Sequence, residues 1–270
     1  MRQTAGKGTI MRFILLKPDM FDTDTMLIKE ILVRRSMIDS FEEMTIQELR
    51  DAERKRIKDS IPIGSVQFVE AWLDKCCGIS HINPIEIPEC LRTEEFLKRD
   101  YRIVPFEDIP RGEYFVKDAS KLKKYTFFGD TEELFTGREA GFIDRSHLFQ
   151  VSEIKDILSE YRVYIFGGKV NAVCNYDGRP DIFPDMDLVE RANRIYMAKP
   201  DYPKSLTIDV MVTKEGTSLI EVHPFVACGL YSTLWGDDLL AALIDGIDYV
   251  RRHNTPIRIS QGSRKPEERI

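Results

Sequence analysis

Residues 205–224 read SLTIDVMVTKEGTSLIEVHP, two runs of β-branched and apolar residues joined by Lys214-Glu215-Gly216. Such runs on either side of a short glycine-containing turn predict antiparallel neighbours. Asp209 lies five residues before Lys214, and Glu221 five after Gly216. The two carboxylates are therefore expected nearly opposite each other on one face. Like charges directly across a ladder repel. An exposed carboxylate pair on a wet sheet face is one reading; a pair of ligands for a hard divalent cation is the other, and the repulsion favours it.

Outward from this hairpin, further charges interrupt apolar strands. Lys117 ends EYFVK (113–117), and Lys123 or Lys124 opens the next run, KYTFF (124–128). Glu153 closes HLFQVSEI (147–154), and Glu160 and Arg162 begin EYRVYIF (160–166). Charges within strand cores are costly unless a partner or ligand compensates them. Cations suit phosphates, and paired carboxylates suit a metal that bridges those phosphates. Gly167-Gly168, between EYRVYIF and VNAVCN (170–175), is a hairpin signal. Helices are predicted over 187–197 and 237–253. The second has a core face of Leu240, Leu243, Ile244 and Ile247, with Asp237 at its start and Arg251, Arg252 and His253 at its end.

The first half reads differently. MRFILLKP (11–18) predicts a buried strand, and 25–35 a helix. Thr45 and Glu48 have capping-box spacing and open a charged helix through about Lys58. IPIGSVQFVEAWL predicts a strand over 64–69 running into a short helix, and 78–100, with a helical LRTEEFLKR, joins the halves. AGKGT, near the start, lacks P-loop spacing and a preceding strand.

At 270 residues, 43% of them hydrophobic, the chain can bury a large core in two packed domains or one domain with lobes. A net charge of -6 argues against gripping nucleic-acid backbones. No run of about 18 apolar residues predicts a membrane span, and the first ten residues lack a signal-peptide core, so a cytoplasmic protein is expected. Five irregularly spaced cysteines predict reduced thiols. Trp72 and Trp235 read as packing residues, and Arg54, Lys55, Arg56 and Lys58 as a solvated helix face.

The order of these pieces resembles the ATP-grasp superfamily. The matching pieces are the lysine-ended FVK strand, KKYTFF, the hinge-like QVSEI, SEYRVYIFGGKVNAVCNY, and the pair IDVMVT and LIEVHP. The region IPIGSVQFVEAWL and the EYR strand resemble an atypical subgroup of phages and bacteria, whose ATP-contacting cations are two lysines and one arginine. The resemblance covers about residues 101–253. It implies an α+β fold: an N-terminal α/β domain over 11–95, a small lobe over 96–154 and a large lobe over 155–256, with flexible termini at 1–10 and 257–270.

It also implies ATP in a cleft between the lobes. Lys117 and Lys124, or Lys123 in its place, would meet phosphates. The backbone of Val151, Ser152, Glu153 and Ile154 would hold adenine, and Glu160 the ribose. Arg162 would face the terminal phosphate or an acyl phosphate, and Asp209 and Glu221 would hold Mg2+. The activity implied is carboxylate–amine ligation, on an amino acid or peptide; phosphotransfer and nucleotide binding without catalysis are the rivals. Where the family usually has asparagine, this chain has His223. Three readings of it stay open: a ligand tolerant of Mn2+, a hydrogen-bonding neighbour of the metal, or a packed histidine. Tyr176, Arg179 and Lys199 lie near the inferred cleft without an assigned role.

Overall fold

The computed structural model describes residues 11–17, 23–231 and 238–254. Its first layer is a parallel sheet of β1 (Arg12–Leu16), β2 (Phe41–Met44) and β3 (Ser60–Ile63), in the order β2-β1-β3. Phe13, Ile14 and Leu15 of the central strand are all buried, as a parallel strand covered on both faces requires. Helices α1 (Thr23–Arg34), α2 (Ile46–Asp51), α3 (Arg54–Ile57) and α4 (Val66–Cys77) accompany it.

Three expectations shift here. The capping box at Thr45 and Glu48 forms, but the helix it opens breaks at Ala52, whose extended backbone separates α2 from α3. The strand expected over 64–69 lies earlier, at 60–63. Gly64 turns the chain and Ser65 caps α4, its hydroxyl accepting from the Phe68 amide. LRTEEFLKR supplies only one short turn of helix, α5 (Glu94–Leu97). Trp72 packs as expected: it is fully buried and its ring nitrogen donates to the Ile57 carbonyl. Trp235, Asp237 and the expected flexible termini lie outside the described residues.

The second layer is antiparallel. It comprises β4 (Tyr101–Pro105), β5 (Glu113–Asp118), β6 (Thr126–Asp130) and β7 (Leu148–Glu153), ordered β4-β7-β5-β6. Alternation along β5 and β7 sends Val116, Phe149 and Val151 into a small core with Leu134 of α6 (Glu132–Thr136). β6 begins two residues later than expected, which leaves Lys123 and Lys124 in the turn before it.

The third layer contains the deciding hairpin. Strands β8 (Ser159–Phe166), β9 (Lys169–Gly178), β10 (Ser205–Thr213) and β11 (Gly216–Pro224) run antiparallel in the order β11-β10-β8-β9. Gly167 and Gly168, with φ of 59° and 78°, make the tight turn between β8 and β9. One face packs on α7 (Met186–Met197) and α5 through Tyr161, Val163, Ile165, Ile208 and Val210. The opposite face contributes Tyr164 to a continuous core with the parallel sheet, Phe225 and α8 (Asp238–His253). The parallel sheet and the third layer therefore share their interior. Mixed helices and antiparallel sheets make the fold α+β.

Gly246 shows how closely α8 is held. A Cβ there would lie 2.2 Å from the Phe225 carbonyl oxygen. Alanine is intrinsically the better helix residue by about 1 kcal/mol, but the clash outweighs that gain. Gly246→Ala is expected to destabilise the protein by about 1–3 kcal/mol, measured by urea unfolding.

Candidate functional site

Between the second and third layers lies a cavity of about 590 Å³. Lys117, Lys123, Lys124, Ser152, Glu153, Ile154, Glu160, Arg162, Asp209, Glu221 and His223 all line it. Val151 does not: it alternates with Gln150 and Ser152, and its side chain is buried in the small core. The Glu153 carboxylate pairs with Lys155 at 3.1 Å.

The carboxylates stand where hairpin geometry expects them. Asp209 pairs in register with Glu221 on β11 and, on its other side, with Arg162 on β8. Arg162 binds Asp209 through two hydrogen bonds, Nε to Oδ1 at 2.8 Å and Nη2 to Oδ2 at 2.6 Å. Lys117 crosses from the second layer to form an ion pair with Glu221. Burial pushes Asp209 up to about 6, against the pull of Arg162, and it stays ionised at neutral pH. Burial works the same way on Glu221, but Lys117 wins and holds it at about 2.

Arg162 is confined on several sides. Its guanidinium carbon lies 5.5 Å from the Tyr176 ring centroid and 5.4 Å from that of Tyr231, and the two rings stack. The Tyr176 hydroxyl donates to Glu160 Oε2 at 2.5 Å. A Cβ on Gly229 would lie 3.2 Å from an Arg162 nitrogen, so the loop after β11 passes close. That loop is pinned by Leu230, whose amide donates to Asp24, and by Tyr164, whose hydroxyl donates to the Gly229 carbonyl.

Lys123 is also tied to this loop, its ammonium donating to the Ala227 carbonyl at 2.9 Å. Both residues have positive φ, 52° and 48°, which is strained for side chains larger than glycine. Asp118 holds the turn that carries Lys123 by accepting from the Ser120 and Lys121 amides. His147 lies 2.7 Å from Asp118 through Nδ1 and 3.1 Å from Asp144 through Nε2.

His223 is buried, with Nδ1 2.6 Å from the Pro224 carbonyl oxygen and Nε2 without a hydrogen-bond partner. Burial lowers its pKa to about 4, so the ring is neutral at pH 7. Two carboxylates and a neutral imidazole with an orphaned nitrogen fit a divalent cation chemically. Among the described residues, no three ligating side chains stand assembled as a metal group, and Lys117 and Arg162 hold the carboxylates.

Tyr176 and Tyr231 enter the site from outside the sequence assignments. A register shift beside Glu160 makes hairpin counting unreliable at Tyr176. The available signal was that side chains two apart share a face, which sets Tyr176 with Cys174, the partner of Arg162 across the ladder. Tyr231 had none. Arg179 pairs with Asp181 on the surface, and neither it nor Lys199 lines the cavity.

Residues 96–236 match the family described as ATP-grasp domain, R2K clade family 2. Among solved structures, the chain resembles D-cycloserine synthetase DcsG at 9% identity, covering 89% of this chain and 99% of that one, with a TM-score of 0.49. It resembles the ATP complex of D-alanine–D-alanine ligase from Bacillus anthracis at 15% identity, with 90% and 97% covered and a TM-score of 0.45. Macrocyclase MdnC with precursor peptide MdnA, from Microcystis aeruginosa MRC, gives 13%, 89%, 99% and 0.45. A search of curated proteins returned no match.

Arg162→Met is expected to cost about 3–5 kcal/mol at pH 8, because it strands the buried Asp209 charge. The loss should shrink as pH falls through the raised Asp209 pKa, since protonation removes that charge. Urea unfolding at pH 5 and pH 8 checks the sign.

Proposed function

This chain belongs to the ATP-grasp family of the R2K clade, and from that we infer that it is an ATP-dependent carboxylate–amine ligase working through an acyl phosphate. The observation that carries this reading is the convergence of basic side chains from the second layer and acidic ones from the third on one cavity.

The two lysines and one arginine of the ATP site are Lys117, Lys123 or Lys124, and Arg162. Lys123 is better supported than Lys124 as the second lysine, because its ammonium is directed by Ala227 toward the loop that borders Arg162. The backbone of residues 151–154 holds the adenine edge, and Glu160, oriented by Tyr176, accepts from ribose hydroxyls. Asp209 and Glu221 would hold Mg2+ or Mn2+, which would neutralise charge on the phosphates when bound. Residues 11–95 form the N-terminal domain, 96–154 the small lobe and 155–256 the large lobe.

In the first step an acceptor carboxylate oxygen attacks the γ-phosphorus, and ADP leaves with the electrons of the broken P–O bond. Lys117 and Arg162 stabilise the charge spread over the transferring group. An amine then attacks the acyl carbon, phosphate leaves, and the amine loses a proton to give the amide. Closing the second layer over the third excludes water from the acyl phosphate.

The two ion pairs make one demand of this reaction: Lys117 and Arg162 must turn from Glu221 and Asp209 toward phosphate. The two carboxylates are freed for the cation in the same exchange. Among the described residues no helix is long and apolar enough to cross a membrane, and we place the protein in the cytoplasm, that of the host if a phage encodes it.

The test is ATP consumption with mass analysis of products against a panel of amino acids and peptides. Amide plus ADP supports ligation; a stable phosphorylated product supports phosphotransfer instead. Tight ATP binding without turnover supports a binding protein. Lys117→Met is expected to lower turnover by about 100-fold or more, on the scale of losing one oxyanion-stabilising group.

A further inference from the structure

His223 carries more than the nucleotide reading uses. The residue is 3% exposed and lines the cavity. A contact of 2.6 Å between Nδ1 and the Pro224 carbonyl oxygen is a hydrogen bond only when Nδ1 bears the proton. Nε2 then bears the lone pair, and nothing donates to it. Leaving a buried acceptor unmatched is costly, so such an atom in a fold calls for an explanation.

Register supplies one. His223 is two residues from Glu221 and projects from the same face of β11 as Glu221, which stands opposite Asp209. The hydrogen bond to Pro224 fixes the ring tautomer, as the outer hydrogen bond of a metal-bound histidine does. Directly across from His223 is Thr207, whose hydroxyl also lacks a partner. The rival explanation is therefore a water bridging Thr207 and His223, with the imidazole ligating nothing.

We propose that His223 Nε2 is a direct ligand of the divalent cation in this cavity, and that it shifts the preference of the site from Mg2+ toward Mn2+. The proposal rests on the nucleotide-site reading above. Mg2+ holds its waters tightly and takes oxygen donors, whereas imidazole gains affinity along the transition series from Mn2+ onward. With two carboxylates as the other donors, the nitrogen is the element of the site that discriminates. It does so without adding charge.

The experiment uses the full chain with the β,γ-methylene analogue of ATP, whose bridge contains no nitrogen. Pulsed electron paramagnetic resonance of the Mn2+ complex reads nitrogen coupling directly and needs no variant. The expected result is a coupling that changes when histidine alone is labelled with 15N. Calorimetry then gives the ratio of nucleotide affinities with Mn2+ and with Mg2+, for wild type and His223→Asn. The ratio should fall by about tenfold or more in the variant, the range seen when a metal loses a supporting group. Nucleotide binding with both metals but no histidine coupling overturns the proposal and leaves the nucleotide site standing. So does an unchanged ratio in a folded variant. Binding of the analogue with neither metal overturns the nucleotide reading itself.

Discussion

Two buried carboxylates facing each other across a strand pair are the constraint around which the rest of the site is arranged. Asp209 and Glu221 occupy paired positions on β10 and β11, where like charges repel in surroundings that screen poorly. Each is matched by its own cation. Arg162 comes from the neighbouring strand of the same sheet, but Lys117 comes from a different sheet. Neutralising the pair thus binds the second layer to the third, and the same charges that make the cavity chemically useful also hold it together. The aromatic rings of Tyr176 and Tyr231 and the close loop at Gly229 keep Arg162 in its place, so that the more easily redirected member of the set is the lysine.

Much of this was legible in the sequence, partly for reasons the sequence does not contain. The charged residues that interrupt apolar strands converge on one cavity, because side-chain alternation on short strands leaves them few other places to point. Asp209 opposite Glu221 is a subtler success. The turn between β10 and β11 is only Lys214 and Glu215, and a regular ladder from Thr213 and Gly216 would have placed Asp209 opposite Ile220. A bulge between Asp209 and Val210 moves the register by one and restores Glu221. Counting a three-residue turn gave the same partner by compensation. Tyr176 was set near the cleft without a role, and the register shift near Glu160 left its facing unreadable.

The first half was less legible because short parallel strands carry little periodicity. β2, four residues long with two glutamates, has no apolar run to announce it, and only pairing with β1 makes it a strand. Residues 64–69 were read as strand, where the chain turns at Gly64 and starts a helix. The apolar residues on both sides are continuous, and only the serine cap marks the change. Val151 was assigned by its backbone, and the pleat sends its side chain to the opposite side of the sheet from Ser152, into the small core.

The interior shared by the parallel sheet, Tyr164, Phe225 and α8 has a bearing on any attempt to dissect the protein. The stretch matched to the family begins at residue 96, which invites expression of that portion alone. Such a fragment would carry every charged residue of the cavity, yet the backs of Tyr164 and Phe225 would be open to water. It is better regarded as a core deprived of its other half than as a minimal enzyme, and clumping is the fate its exposed apolar surface favours.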